Sequence, residues 1–168
     1  MKRVALVVLM VLAGCSGVSQ TEYDELENRL SEARDDLAVR ERADADQVTA
    51  DAVVGAYVKA YESLELELLN GVYAEGLVAF DAARGITFRS RRNAIADLES
   101  GIEAFGIETQ EALEVVVRPG TAIIEWEMRG SVRGVGWSLP GVSVLTLDGA
   151  LIVEETLYYN LADAPWGP

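Results

Sequence analysis

The sequence predicts an α+β domain. Apolar residues recur at steps of three and four up to Phe105 and at steps of two after Thr109, and Asp148-Gly149 separates two of the alternating runs. Helical segments first and strands last argue a sheet wrapped around helices rather than alternating strand-helix units.

At the N-terminus, Lys2 and Arg3 precede an apolar run over 4–13. That run is too short to span a bilayer and has the form of a signal-peptide core. It leads into Leu12-Ala13-Gly14-Cys15, which resembles the lipobox of bacterial lipoprotein precursors. The resemblance implies a signal peptide over 1–14, cleavage before Cys15, and diacylglycerol and palmitate on that residue. Cys15 is the only cysteine, so no intramolecular disulfide competes for it. Ser16 follows it, and the resemblance then implies the outer membrane rather than the inner, with membrane contact through the lipid.

Cleavage would leave 12 Lys plus Arg against 28 Asp plus Glu, a charge of -16 in place of -14. Such a chain repels phosphate, so nucleic acid is excluded as a partner. With no His and a single Cys, zinc and most transition-metal sites are disfavoured. Asp44 and Asp46 lack the glycine and distal Glu of a calcium loop, so no metal and no cofactor is expected.

From 15 to 50 the chain reads as a lipidated N-terminus and helical stalk. Tyr23, Leu26, Leu30, Ala33 and Leu37 form one seam at alternating spacings of three and four, with charged residues on the other faces, the pattern of a short coiled coil. At ~1.5 Å per residue this segment would act as a spacer of a few tens of ångströms.

A globular domain is expected over 51–160. Its first helix carries Val54, Tyr57, Val58, Tyr61, Leu64 and Leu68 on one stripe, and a second short helix covers 66–74, broken near Asn70 and Gly71. Leu77 to Asp81 read as a short strand, followed by a loop holding Gly85. A third helix places Ile95, Leu98, Ile102 and Phe105 on one face, with Ser90 as cap and Gly106 at the stop. Strands follow at 112–118, 121–132, 138–147 and 151–159, the last two joined by a hairpin through Asp148-Gly149. Alternation puts Ile124, Trp126 and Met128 on one face of the long strand and Glu125, Glu127 and Arg129 on the other. The tail over 161–168, with Trp166, is expected to be irregular.

The order helix, short helix, strand ending in Asp, loop, helix and four strands resembles the cone-shaped fold of SnoaL-like and nuclear transport factor 2-like proteins. The resemblance also rests on Arg92-Asn93-Ala94-Ile95 at the third helix and on 147–155 at the final hairpin. It implies three N-terminal helices packed in a curved antiparallel sheet. It leaves function open, since the family hosts isomerases, cyclases, dehydratases, hydrolases and non-catalytic binding proteins.

Locally, the helix around Val53-Val54-Gly55-Ala56-Tyr57-Val58 and the strand Leu77-Val78-Ala79-Phe80-Asp81 are similar to ketosteroid isomerases. This implies Asp81 as general base and Tyr57 as the phenol that donates to an enolate oxygen. In those isomerases a neutral carboxylic acid assists the phenol. Here Ser143 aligns with that acid and Ala82 stands where the family has proline, so the oxyanion site departs from the pattern. The plainer reading makes Tyr57 and Tyr61 core aromatics and Asp81 a turn cap.

Tyr61, Trp126, Met128, Tyr158 and Asn160 are the candidate pocket residues, while Arg89, Arg91 and Arg92 form a basic cluster for which Asp97 is the expected partner. Trp126 and Trp137 would wall an apolar cavity or fill a core. Three functions follow: a lipid-anchored module binding a small apolar molecule, an envelope interaction protein that uses its sheet as a homodimer or docking face, and an isomerase-like enzyme. Binding or interaction ranks above catalysis because Ser143 is a weaker donor than a carboxylic acid.

Overall fold

The computed structural model describes residues 20–163. The lipobox with Cys15 and the tail with Trp166 lie outside the described residues.

Helix α1, Gln20–Ser63, runs 44 residues without interruption. No proline or glycine occurs between Gln20 and Val54, and the alanines near Asp44 and Asp46 favour helix, so nothing halts it at the expected stalk boundary. Chain contacts nevertheless separate a unit ending at Arg40 from a unit beginning at Glu41. In the first unit, Leu26, Leu30 and Leu37 are solvent-exposed. In the second, Ala50, Val53, Val54, Tyr57, Ala60 and Tyr61 are buried at steps of three and four. The stripe ends before Leu68, because Leu64 adopts a left-handed backbone and stops the helix.

A 3-10 turn over Leu66–Gly71 buries Leu66 and Leu69. Strand β1 spans Tyr73–Asp81 and begins four residues earlier than alternation suggested, because Tyr73 is inward and fully buried. The expected loop around Gly85 contains a short strand β2, Ile86–Phe88, paired antiparallel with the end of β1. Helix α2, Arg91–Phe105, has the anticipated caps: the Ser90 side chain accepts from the Asn93 amide, and Gly106 closes it in a left-handed conformation.

Strands β3 (Ile107–Arg118), β4 (Thr121–Val132), β5 (Val135–Asp148) and β6 (Leu151–Tyr159) complete a sheet of order β2-β1-β6-β5-β4-β3. The expected antiparallel sheet is in fact mixed, because β1 pairs with β6 in parallel. The two strands are separated by α2 and a three-strand meander, a connection long enough to return the chain in the same direction. Where β3 bulges after Ala112, the Ala112 amide finds a partner in Glu62 Oε1 at 3.3 Å.

The core lies between one face of the sheet and the helices, with Leu69, Tyr73, Leu77, Ile124, Leu139, Leu145 and Ile152 nearly free of solvent. Ile124 and Trp126 point inward and Glu125 outward, as alternation requires. Among the described residues every buried side-chain nitrogen and oxygen has a hydrogen-bond partner.

Candidate functional site

Two polar clusters occupy the inner side of the sheet. The first is built around Glu155 on β6, which is 2 % exposed. Tyr57 from α1 donates to its Oε1 at 2.5 Å, and Tyr73 from β1 donates to its Oε2 at 2.5 Å. Tyr61 lies one helical turn from Tyr57, its ring centroid 4.7 Å away, and its hydroxyl meets that of Tyr73 at 3.2 Å. On the other side the Tyr57 hydroxyl lies 3.1 Å from Ser143 Oγ, which also accepts from the Trp126 indole at 3.0 Å.

This cluster holds the Glu155 carboxyl above its ordinary range through burial, which the bonds from Tyr57 and Tyr73 partly offset. The phenols of Tyr57, Tyr61 and Tyr73 are pushed well above theirs, first by burial and then by the Glu155 charge. All three therefore remain donors at neutral pH.

The second cluster is centred on Asp81 at the end of β1, also 2 % exposed. Its Oδ1 accepts from the Arg84 amide at 2.9 Å, capping the turn that follows the strand. Its Oδ2 accepts from Arg84 Nε at 2.6 Å and from the Tyr159 hydroxyl at 2.7 Å. The same guanidinium reaches Asp97 on α2, with its shorter contact at 2.5 Å. Burial works against the Arg84 charge, but the bonds to Asp97 and Asp81 outweigh it and hold the guanidinium above its usual range. Burial and Asp81 likewise raise Tyr159.

This cluster closes one end of a cavity of about 70 Å³. Leu98, Phe105, Met128, Leu139 and Leu157 provide apolar wall, and Tyr61 and Trp126 connect the cavity to the Glu155 cluster. The cavity thus combines an apolar body with convergent polar groups at one end, the usual make-up of a small-molecule site.

Among the candidates read from sequence, Asp81, Tyr61, Trp126 and Met128 share this cavity. Tyr57 does not border it: its hydroxyl is committed to Glu155 and Ser143, so the two members of the isomerase pair face different surroundings. Tyr158 points to the outer face of the sheet, one step out of phase with Leu157 and Tyr159, and is 51 % exposed. Asn160 follows the last strand and bonds Asp163 at 2.8 Å. Trp137 donates to the Phe105 carbonyl at 3.0 Å, tying β5 to the end of α2.

The basic cluster also resolves differently from expectation. Arg84, rather than any of Arg89, Arg91 and Arg92, pairs with Asp97, while Arg91 donates to the carbonyls of Asn70 and Tyr73. Sequence reasoning passed over both Arg84 and Glu155. The signal for Arg84 was its position three residues after Asp81, the spacing of a turn-capping pair. We expect Arg84→Met to destabilise the fold by about 2 kcal/mol, less than a fully buried pair because the guanidinium is partly solvated and Tyr159 remains on Asp81. Urea unfolding of the variant measures this, and an unchanged midpoint would show that the pair does not support the fold.

Comparison with known proteins agrees with this architecture. No curated protein matches the chain. Among solved structures, a hypothetical protein with a ketosteroid isomerase-like fold from Catenulispora acidiphila DSM 44928, in complex with trimethylamine, superposes with a TM-score of 0.57 at 22% identity over 66% of this chain and 87% of that one. An LEH-like epoxide hydrolase from M. tuberculosis gives 0.58 at 14% identity over 70% and 86%. An NTF-2-like protein of unknown function from Burkholderia xenovorans LB400 gives 0.56 at 17% identity over 71% and 88%. At these identities the likeness establishes the fold alone. The pattern of the SnoaL-like domain matches residues 54–155, which takes in the Glu155 cluster, Asp81, Arg84 and Asp97 of the second cluster and every strand from β1 to β5, and the chain belongs to that family.

Proposed function

We propose that this chain is a lipid-anchored lipoprotein of the cell envelope, held through Cys15 in the outer membrane, whose SnoaL-like domain binds a small, largely apolar molecule. The observation that carries the binding reading is the cavity of about 70 Å³, whose wall is mostly apolar and whose polar groups include Asp81, Arg84, Gln110 and Tyr159. Its size suits a ligand of few heavy atoms with one polar group that exchanges bonds with Tyr159 or Gln110. The trimethylamine bound by the Catenulispora protein is a molecule of that scale.

Native mass spectrometry of the anchor-free protein purified from its own host tests the binding reading. A small species is expected on the wild type and on Tyr57→Phe, and Met128→Trp, which fills the cavity, is expected to lose it. A wild-type spectrum free of any adduct would count against the proposal. Metabolic labelling with a palmitate analogue tests the anchor: the label is expected on the wild type and absent from Cys15→Ser, and equal labelling of the two would refute lipidation there.

A protein-interaction role has an observation of its own. Val116, Ile123, Val144, Thr156 and Phe80 lie in register across five strands on the outer face, and Val116, Ile123 and Phe80 are exposed. Such a row suits docking of a partner or of a second copy. Catalysis stays the alternative, with Asp81 as base and a tyrosine as donor. It would require Arg84 and Tyr159 to release Asp81 first, since their bonds engage both of its carboxylate oxygens.

A further inference from the structure

The first half of α1 carries leucines that the chain itself leaves uncovered: Leu26, Leu30 and Leu37 are 58 %, 50 % and 56 % exposed, and with Ala33 they form one seam. Glu27 and Arg34 flank the seam on one side, and Arg29 and Asp36 on the other. Among the described residues none of these four charges is engaged in an ion pair within the chain. We propose that this seam is a self-association surface on which a second copy of α1 packs antiparallel, in a register that sets Leu26 against Leu37 and Leu30 against Ala33.

Charge decides both orientation and register. In a parallel pair each residue on one flank meets the opposite flank of the partner five positions later, which brings Arg29 to Arg34 and Asp36 to Glu41 of the second copy, two repulsions per strand. In the antiparallel pair like flanks meet. Arg29 then faces Asp36 of the second copy and Glu27 faces Arg34, and the two-fold axis repeats each attraction. Sliding the antiparallel pair to set Leu26 against Leu30 places Arg29 opposite Arg29 and Glu27 opposite Glu27, so this register is rejected. Only one alignment satisfies the leucines and the charges together.

The seam is short, and an isolated helix of this length is marginal in water. Here α1 continues through Ser63, and its later turns are packed in the domain core, so the helix need not be nucleated by the pairing itself. Association therefore costs less conformational entropy than it would for a free peptide. The pairing does not depend on what the cavity holds.

Disulfide trapping in the full chain, with Cys15 replaced by Ser to remove the native thiol, reads the orientation directly. Leu26→Cys alone and Leu37→Cys alone are expected to stay monomeric under mild oxidation, whereas an equal mixture is expected to give the mixed dimer. Adding Arg29→Glu to both should lower the trapped fraction roughly fivefold to tenfold, and Asp36→Arg on top of it should restore the fraction. Homodimers from either single variant would establish parallel pairing and overturn the proposal. So would the absence of any cross-link together with a monomer in sedimentation, or insensitivity to the charge reversals.

Discussion

Replacing Tyr57 and Tyr73 together by Phe is expected to cost on the order of 3–5 kcal/mol at neutral pH, because it removes both donors from a carboxylate that has no access to water. Among the described residues these two phenols are the side chains that bond Glu155, so the loss falls on a buried carboxyl left without partners rather than on packing. The test is whether removing the carboxyl restores stability. A triple variant that adds Glu155→Leu should recover most of the loss in urea unfolding, since an apolar side chain of similar size needs no donor. If the triple variant is no more stable than the double, the cost lies in the lost hydroxyl packing instead.

The same residue gives an unusual pH dependence. Burial raises the folded-state pKa of Glu155 above that of the unfolded chain, where a glutamate titrates at about 4.3. Between those two values the folded state holds more protons than the unfolded one. Its contribution to stability is therefore greatest below the unfolded pKa and declines as pH rises toward the folded pKa. Glu155→Gln should remove that decline, so the stability difference between the variant and the wild type should shift in favour of the variant as pH rises from about 4 through the folded pKa. The Tyr57→Phe/Tyr73→Phe pair should steepen it, because the two bonds are what hold the pKa down. A pH-independent difference between wild type and Glu155→Gln would contradict this account.

Gly141→Ala should have the next largest effect. A methyl group there would sit 2.3 Å from two atoms of the Trp126 ring and 2.8 Å from a third. The indole can yield toward the cavity it borders, but only by straining the bond from its nitrogen to Ser143 at 3.0 Å. We expect a loss of about 1–3 kcal/mol from overpacking and a lower ligand occupancy as the ring moves into the cavity. Combining Gly141→Ala with Trp126→Phe should cost less than the two changes summed, because the smaller ring removes the clash. Strict additivity in that cycle would show that the methyl group is accommodated elsewhere.

Much of this fold was legible because each element carried its own period and punctuation. Ser90 and Gly106 mark the ends of α2, and Asp148-Gly149 marks the hairpin, through backbone preferences that act locally. The parallel pairing of β1 with β6 was not legible, since it joins residues more than seventy positions apart with no local signature. Glu155 shows a different limit. Counting back by twos from Tyr159 through Leu157 puts Glu155 inside, while counting forward from the buried Ile152 puts Glu154 inside. The register shift opposite Thr146 and Leu147 changes the phase between them, and the adjacent glutamates give no clue to where it falls. Tyr57 was recognised as buried, but its partner could not be named until that phase was known.

The position of Trp126 has an optical consequence. Its ring lies 6.4 Å from that of Tyr159, the residue is 3 % exposed and lines the cavity, and its nitrogen is held by Ser143. An entering molecule would replace empty space or solvent against an indole whose orientation is fixed, changing its surroundings without turning it. The fluorescence of this domain should therefore report filling of the cavity through Trp126, which borders it, against a background from Trp137 and Trp166, and Trp126→Phe should abolish the response.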